Sequence, residues 1–84
     1  MRNVVISTVL NQTAKDEIFK RIGARIMYYR RLKGIRQIDL AEDAGISEQY
    51  LSRIEHGEKS KGLSVAILIN IAEILGVKPE DLLN

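Results

Sequence analysis

Ser47, Glu48, Gln49 and Arg53 are the side chains best suited to reading another molecule's pattern of hydrogen-bond donors and acceptors. Gln49 carries an amide that donates and accepts at once, which matches the N7 and N6 edge of adenine. Arg53 carries a guanidinium fork that matches O6 and N7 of guanine, and Glu48 can accept from a cytosine amino group. Each good contact of this kind contributes about 1–3 kcal/mol of discrimination. Glu48 has a second reading, as a charge at a helix start or as the group that orients Arg53. Tyr50 and Ser52 flank these readers. Tyr50 can bond a phosphate, touch a thymine methyl or pack against its own scaffold. Downstream, His56, Lys59 and Lys61 are placed to meet a sugar-phosphate backbone. A neutral His56 ring can donate one hydrogen bond, and protonation near phosphates would strengthen it.

Other chemistries find no support. Ser47, Ser52, Ser60 and Ser64 have a single histidine between them and no activating lysine arrangement, so no nucleophile–base pair is available. The chain has no cysteine and one histidine, which predicts no metal site, and its glycines match no phosphate-cradling loop, so no cofactor is expected. The reading is not an enzyme.

The elements that must position these residues are a helix-turn-helix over 37–56. Leu40, Ala41 and Ala44 give a short helix one apolar face, with Ala41 small where a second helix must approach. Gly45 supplies a residue able to take a left-handed backbone, Ile46 plugs the turn, and Ser47 caps the next helix. Leu51 and Ile54 form the apolar face of that second helix, leaving the rest turned outward. Two short helices with an exposed polar second member fit a DNA major groove.

Around this motif the patterning predicts three more helices. The first runs from a cap at Thr13 to a stop at Gly34, with Ile18, Ile22, Ile26 and Tyr29 along one face and Phe19 and Leu32 beside them. Ile35 tucks into the core. Ser64 caps a fourth helix ending at Gly76, with Val65, Leu68, Ile71, Ala72 and Leu75 toward the core and Ile67, Ile69 and Ile74 away from it. Pro79 opens a short fifth helix. Residues 13–84 therefore read as one all-α domain of five helices. Residues 1–12 read as an amino-terminal arm in which Val4 to Leu10 forms a strand, additional helix or a disordered segment. A fourth helix apolar nearly all round needs cover on more than one side, from that arm or from a second copy of the chain.

Charge and length agree with this frame. The net charge is only +2, but Lys20, Arg21, Arg25, Arg30, Arg31, Lys33 and Arg36 follow one another with no acid among them. A solvated helix face explains part of that run, and beside a helix-turn-helix a phosphate-facing role explains the rest. Val4 to Leu10 is too short to span a bilayer and has no signal-peptide layout, so a cytoplasmic protein without membrane contact is expected.

The motifs Arg30, Gly34-Ile35-Arg36-Gln37, Leu40-Ala41, Ala44-Gly45-Ile46-Ser47 and Leu51-Ser52-Arg53-Ile54-Glu55-His56-Gly57 resemble the lambda-repressor-like (Cro/C1-type) family of bacterial and phage regulators. The resemblance spans residues 22–83. It implies a compact five-helix bundle and binding of double-stranded operator DNA as a symmetric dimer. It also implies that Arg30 and Glu55 bridge the first helix to the end of the recognition helix, and that Gln37 contacts a phosphate while steadying that helix. The chain departs from the pattern after Gly57, where Lys61 stands near the place of a common proline and the segment to Ile71-Ala72 is about two residues longer. The expectation is a homodimeric repressor. A restriction–modification controller, or an antitoxin with a protein partner, is the alternative. An adaptor that does not touch DNA would lose polar readers such as Gln49 and Arg53.

Overall fold

The computed structural model describes residues 2–58 and 63–84, with side chains from Ala14 onward. Five helices follow one another: α1 (Arg2–Leu32), α2 (Gln37–Ala44), α3 (Glu48–Glu55), α4 (Val65–Leu75) and α5 (Pro79–Leu83). No strand occurs among the described residues. The carboxyl-terminal part of α1 lies against α3, α4 and α5, while α2 packs on α3 and α4. The core is built from Ile22 and Ile26 of α1, Leu40, Ala41 and Ala44 of α2, and Leu51 and Ile54 of α3. Leu68, Ile71, Ala72 and Leu75 of α4 and Leu82 of α5 complete it. Ile35 and Ile46 pack against it from the two turns, as their positions between helices predicted.

Helix ends follow local chemistry. Gly34, Gly45, Gly57 and Gly76 all have φ near +70°, between +68° and +76°. The turn that carries the motif depends on this most: Gly45 N–H bonds the carbonyl of Glu42, and Ile46 N–H bonds that of Ala41, closing α2 before α3 can begin. Ser47 Oγ accepts from the Tyr50 N–H at 3.0 Å and Ser64 Oγ from the Ile67 N–H at 3.1 Å, so both serines cap as their spacing implied. Ser64→Ala is expected to lower stability by about 1 kcal/mol. A urea midpoint unchanged in Ser64→Ala but lowered in Ser47→Ala would mean that α4 starts without help from its cap.

Four expectations change. The first helix does not begin at Thr13 but at Arg2, and Thr13 lies inside it. The chain has no proline before Pro79 and no glycine before Gly23, so nothing interrupts the helix there. It therefore runs 31 residues, which at 1.5 Å per residue is about 46 Å and accounts for the 49 Å long axis. Val65 is not in the core but 72% exposed, because α4 begins there and its first turn precedes the contact with α1 and α2. Ile67 and Ile74, assigned away from the core, are half-buried against it, and only Ile69 of that set stands exposed. Ile18 and Leu32, placed with the core side of α1, are 44% and 65% exposed, since the bundle grips that helix chiefly between Ile22 and Arg30.

Candidate nucleic-acid interface

α3 turns one face to the core and another outward. Leu51, Ile54 and Glu55 are buried, and Tyr50 is half-buried. The opposite side presents Gln49, Ser52, Arg53 and His56, spaced i, i+3, i+4 and i+7, with Glu48 at its edge. Gln49, Arg53 and His56 are exposed and Ser52 partly so. The predicted readers Gln49 and Arg53 are thus brought together on one surface. Tyr50 is not among them: its ring packs against the core and its hydroxyl is buried with no hydrogen-bond partner among the described residues. Ser47 is at the helix start, where its hydroxyl oxygen is engaged by the Tyr50 N–H. Lys59 and Lys61 lie outside the described residues.

The carboxylate beside Arg53 is Glu58, at 4.0 Å, rather than Glu48. Both partners are about two-thirds exposed, so the contact directs the guanidinium without holding it. His56 Nδ1 lies 2.7 Å from the Ser52 carbonyl, which fixes the proton on that nitrogen when the ring is neutral. Nε2 is then an acceptor, so a phosphate contact through it requires the imidazolium, a stricter condition than the sequence suggested.

What keeps α3 in place is a buried polar cluster at its carboxyl end. Arg30 Nε donates to Glu55 Oε2 at 2.7 Å and Arg30 Nη2 to Glu55 Oε1 at 3.0 Å, a two-pronged contact. The third nitrogen, Nη1, donates to the Ile35 carbonyl at 3.0 Å. Gln37 Nε2 donates to Glu55 Oε1 at 3.1 Å. One carboxylate therefore ties α1 and the start of α2 to the end of α3, and Arg30 carries the link on to the first turn. Hydrogen bonding to Glu55 raises the Arg30 pKa further, against the opposing effect of burial, so the guanidinium stays charged. The Gln37 amide thus links the start of α2 to the end of α3.

A second seat was not visible in the sequence. Gly23 is buried in the middle of α1, and a Cβ there would collide with the Ile54 carbonyl oxygen and lie 2.9 Å from that of Glu55. Gly57 closes from the other side, where a Cβ would sit 2.8 Å from Lys20 Cα. The two helices touch backbone to backbone at the end of α3.

Two charged residues border the cluster on the surface. Arg36 Nε donates to Asp39 Oδ2 at 2.8 Å, and the hydrogen bond holds the Asp39 carboxyl below the usual carboxylate range. Among the described residues, no cluster of three potential metal ligands occurs, and no helix is long and apolar enough to cross a membrane.

This architecture, with an exposed second helix pinned by a buried ion pair, defines a helix-turn-helix protein. The chain belongs to the helix-turn-helix family, whose pattern it matches over residues 26–82. It is 40% identical over 63 residues to the HTH-type transcriptional regulator SinR of Bacillus licheniformis, covering 75% of this chain and 56% of that protein. The chain thus spans only about half of that relative's length. Among solved structures it resembles the clp gene regulator ClgR from Corynebacterium glutamicum (TM-score 0.73, 32% identity, 79% of this chain and 68% of that one). It also resembles SinR, the master regulator for biofilm formation, in complex with DNA (TM-score 0.67, 38% identity, 75% of this chain and 98% of that one).

Proposed function

We propose that the protein is a sequence-specific, double-stranded DNA-binding transcriptional regulator that acts as a homodimeric repressor. α3 lies in the major groove of each operator half-site. Gln49 and Arg53 read base edges, and Glu48 and Ser52 border them. Gln37, Ser47, Lys59, Lys61 and, as the imidazolium, His56 meet the sugar-phosphate backbone and set the register. Tyr50 belongs to the scaffold. The observation that carries this reading is the outward face of Gln49, Ser52, Arg53 and His56 on a helix whose far end is locked by Arg30, Glu55 and Gln37. A rigid presenter is what base readout requires, since each contact loses its value if the helix must be ordered on binding.

Selection of a preferred site from a random DNA pool, followed by titration at several salt concentrations, tests this. Binding should fall steeply as salt rises, because each neutralised phosphate releases counterions. On the selected site, Arg53→Ala should relax preference at one base pair per half-site, with a loss of about 1–3 kcal/mol for the cognate base. Lys59→Ala should weaken all sequences alike and flatten the salt slope. A flat salt response, or no sequence enrichment, would remove the regulator reading. Identical behaviour of the two variants would remove the division of roles.

A further inference from the structure

The face of α1 turned away from the bundle carries a stripe that the DNA-facing residues do not use. Residues 14, 17, 21, 24 and 28 succeed one another at alternating steps of three and four, the spacing of a coiled-coil seam. Ala14, Glu17, Arg21 and Ala24 are exposed, Tyr28 is 57% exposed and Leu32 beside it 65%. Shallow grooves of about 560 and 410 Å³ border Ala24 and Tyr28 on either side. Glu17 and Arg21 have no ion-pair partner among the described residues.

We propose that this stripe is the homodimer interface, and that it pairs antiparallel with the same stripe of a second copy about a two-fold axis at position 19. The inference rests on the homodimer reading above and names its surface. In this register Glu17 meets the partner's Arg21, and Arg21 meets the partner's Glu17. Ala14 meets the partner's Ala24, small against small, so the backbones approach closely.

The charges select this arrangement. A parallel pair sets Glu17 on the partner's Glu17 and Arg21 on the partner's Arg21. Sliding the antiparallel pair so that the axis falls on position 17 or 21 again opposes like charges. Only one register satisfies both ions, and it is self-complementary, which is the property of an isologous contact between identical chains. The exposed Val65 and Ile69 of α4 form the competing face, but they carry no charge pair that would fix a register.

Sedimentation equilibrium of the full chain tests the proposal, with circular dichroism confirming that each variant is folded. The wild type should be a dimer. Glu17→Lys and Arg21→Glu should each weaken dimerisation about tenfold or more, because two attractive contacts become repulsive. The double variant E17K/R21E should recover the wild-type constant, since the pairs are exchanged rather than lost. With no cysteine in the chain, A14C/A24C should oxidise to a covalent dimer, whereas Ala14→Cys alone should not. A monomeric wild type, or a dimer indifferent to both charge variants, overturns the proposal. So does a dimer lost only on Val65→Glu, which would assign the contact to α4. DNA selection run in parallel separates the two readings: site-specific binding that survives while the charge variants have no effect removes this interface and leaves the regulator standing.

Discussion

Arg30→Ala should cost about 3–5 kcal/mol of folding stability, the range observed when one partner of a buried ion pair is removed. The reason is asymmetric. Glu55 has a side chain only 1% exposed, and Arg30 supplies two of the three hydrogen bonds it receives from other side chains among the described residues. Without them the carboxylate stays buried with Gln37 as its remaining donor, and its desolvation is uncompensated. For 84 residues the whole stability is on the order of 4–13 kcal/mol, so the variant lies near the edge of folding. Replacing both partners with apolar residues, as in R30M/E55L, should cost less than Arg30→Ala alone, because no charge is then stranded. Urea unfolding of the two variants decides the matter. A double variant less stable than the single would show that the pair's attraction, and not the penalty of an orphaned charge, dominates. The loss in Arg30→Ala should also change little between low and high salt, since a contact shielded from solvent is weakly screened.

How much of this was legible in the sequence depends on the kind of signal each feature leaves. The motif was readable because its turn demands a left-handed residue and its helices demand apolar spacing; Gly45, Ser47, Leu51 and Ile54 each satisfy one local requirement. The Arg30–Glu55 contact leaves no local trace, being 25 residues apart in the chain, and only the family resemblance joined the two. Thr13 misled because a threonine followed by acids is a good helix start, yet a cap acts only where the preceding chain leaves the helix. No breaker forces that departure. Val65 misled for a related reason: periodicity assigns a face to a helix but not the point along it where contact with neighbours begins. Tyr50 reads from the sequence as a flanking DNA contact, with packing against the scaffold a close alternative, and its half-buried ring over the core favours the scaffold.

Gly23 sets the second large effect, with a sign opposite to that of a glycine in an exposed helix interior. In an exposed helix interior, glycine to alanine stabilises by about 0.5–1 kcal/mol. Here the added methyl would meet the Ile54 and Glu55 carbonyl oxygens, which are backbone and cannot rotate aside. Relief requires α3 to move away from α1. Overpacking of this kind costs about 1–3 kcal/mol, enough to outweigh the gain in helix propensity. That movement also bears on the two-pronged bond between Arg30 and Glu55, whose carboxylate sits on the displaced turn, so the lock loosens where the steric contact arises. Gly23→Ala should therefore be destabilised in urea and should lose affinity for a selected DNA site more than for random sequence. On the proposed division of roles, base contacts depend on where Gln49 and Arg53 are held, whereas phosphate contacts tolerate a shifted helix better. A Gly23→Ala protein more stable than the wild type, with its site preference intact, would mean that α3 is not seated on α1 through this backbone contact.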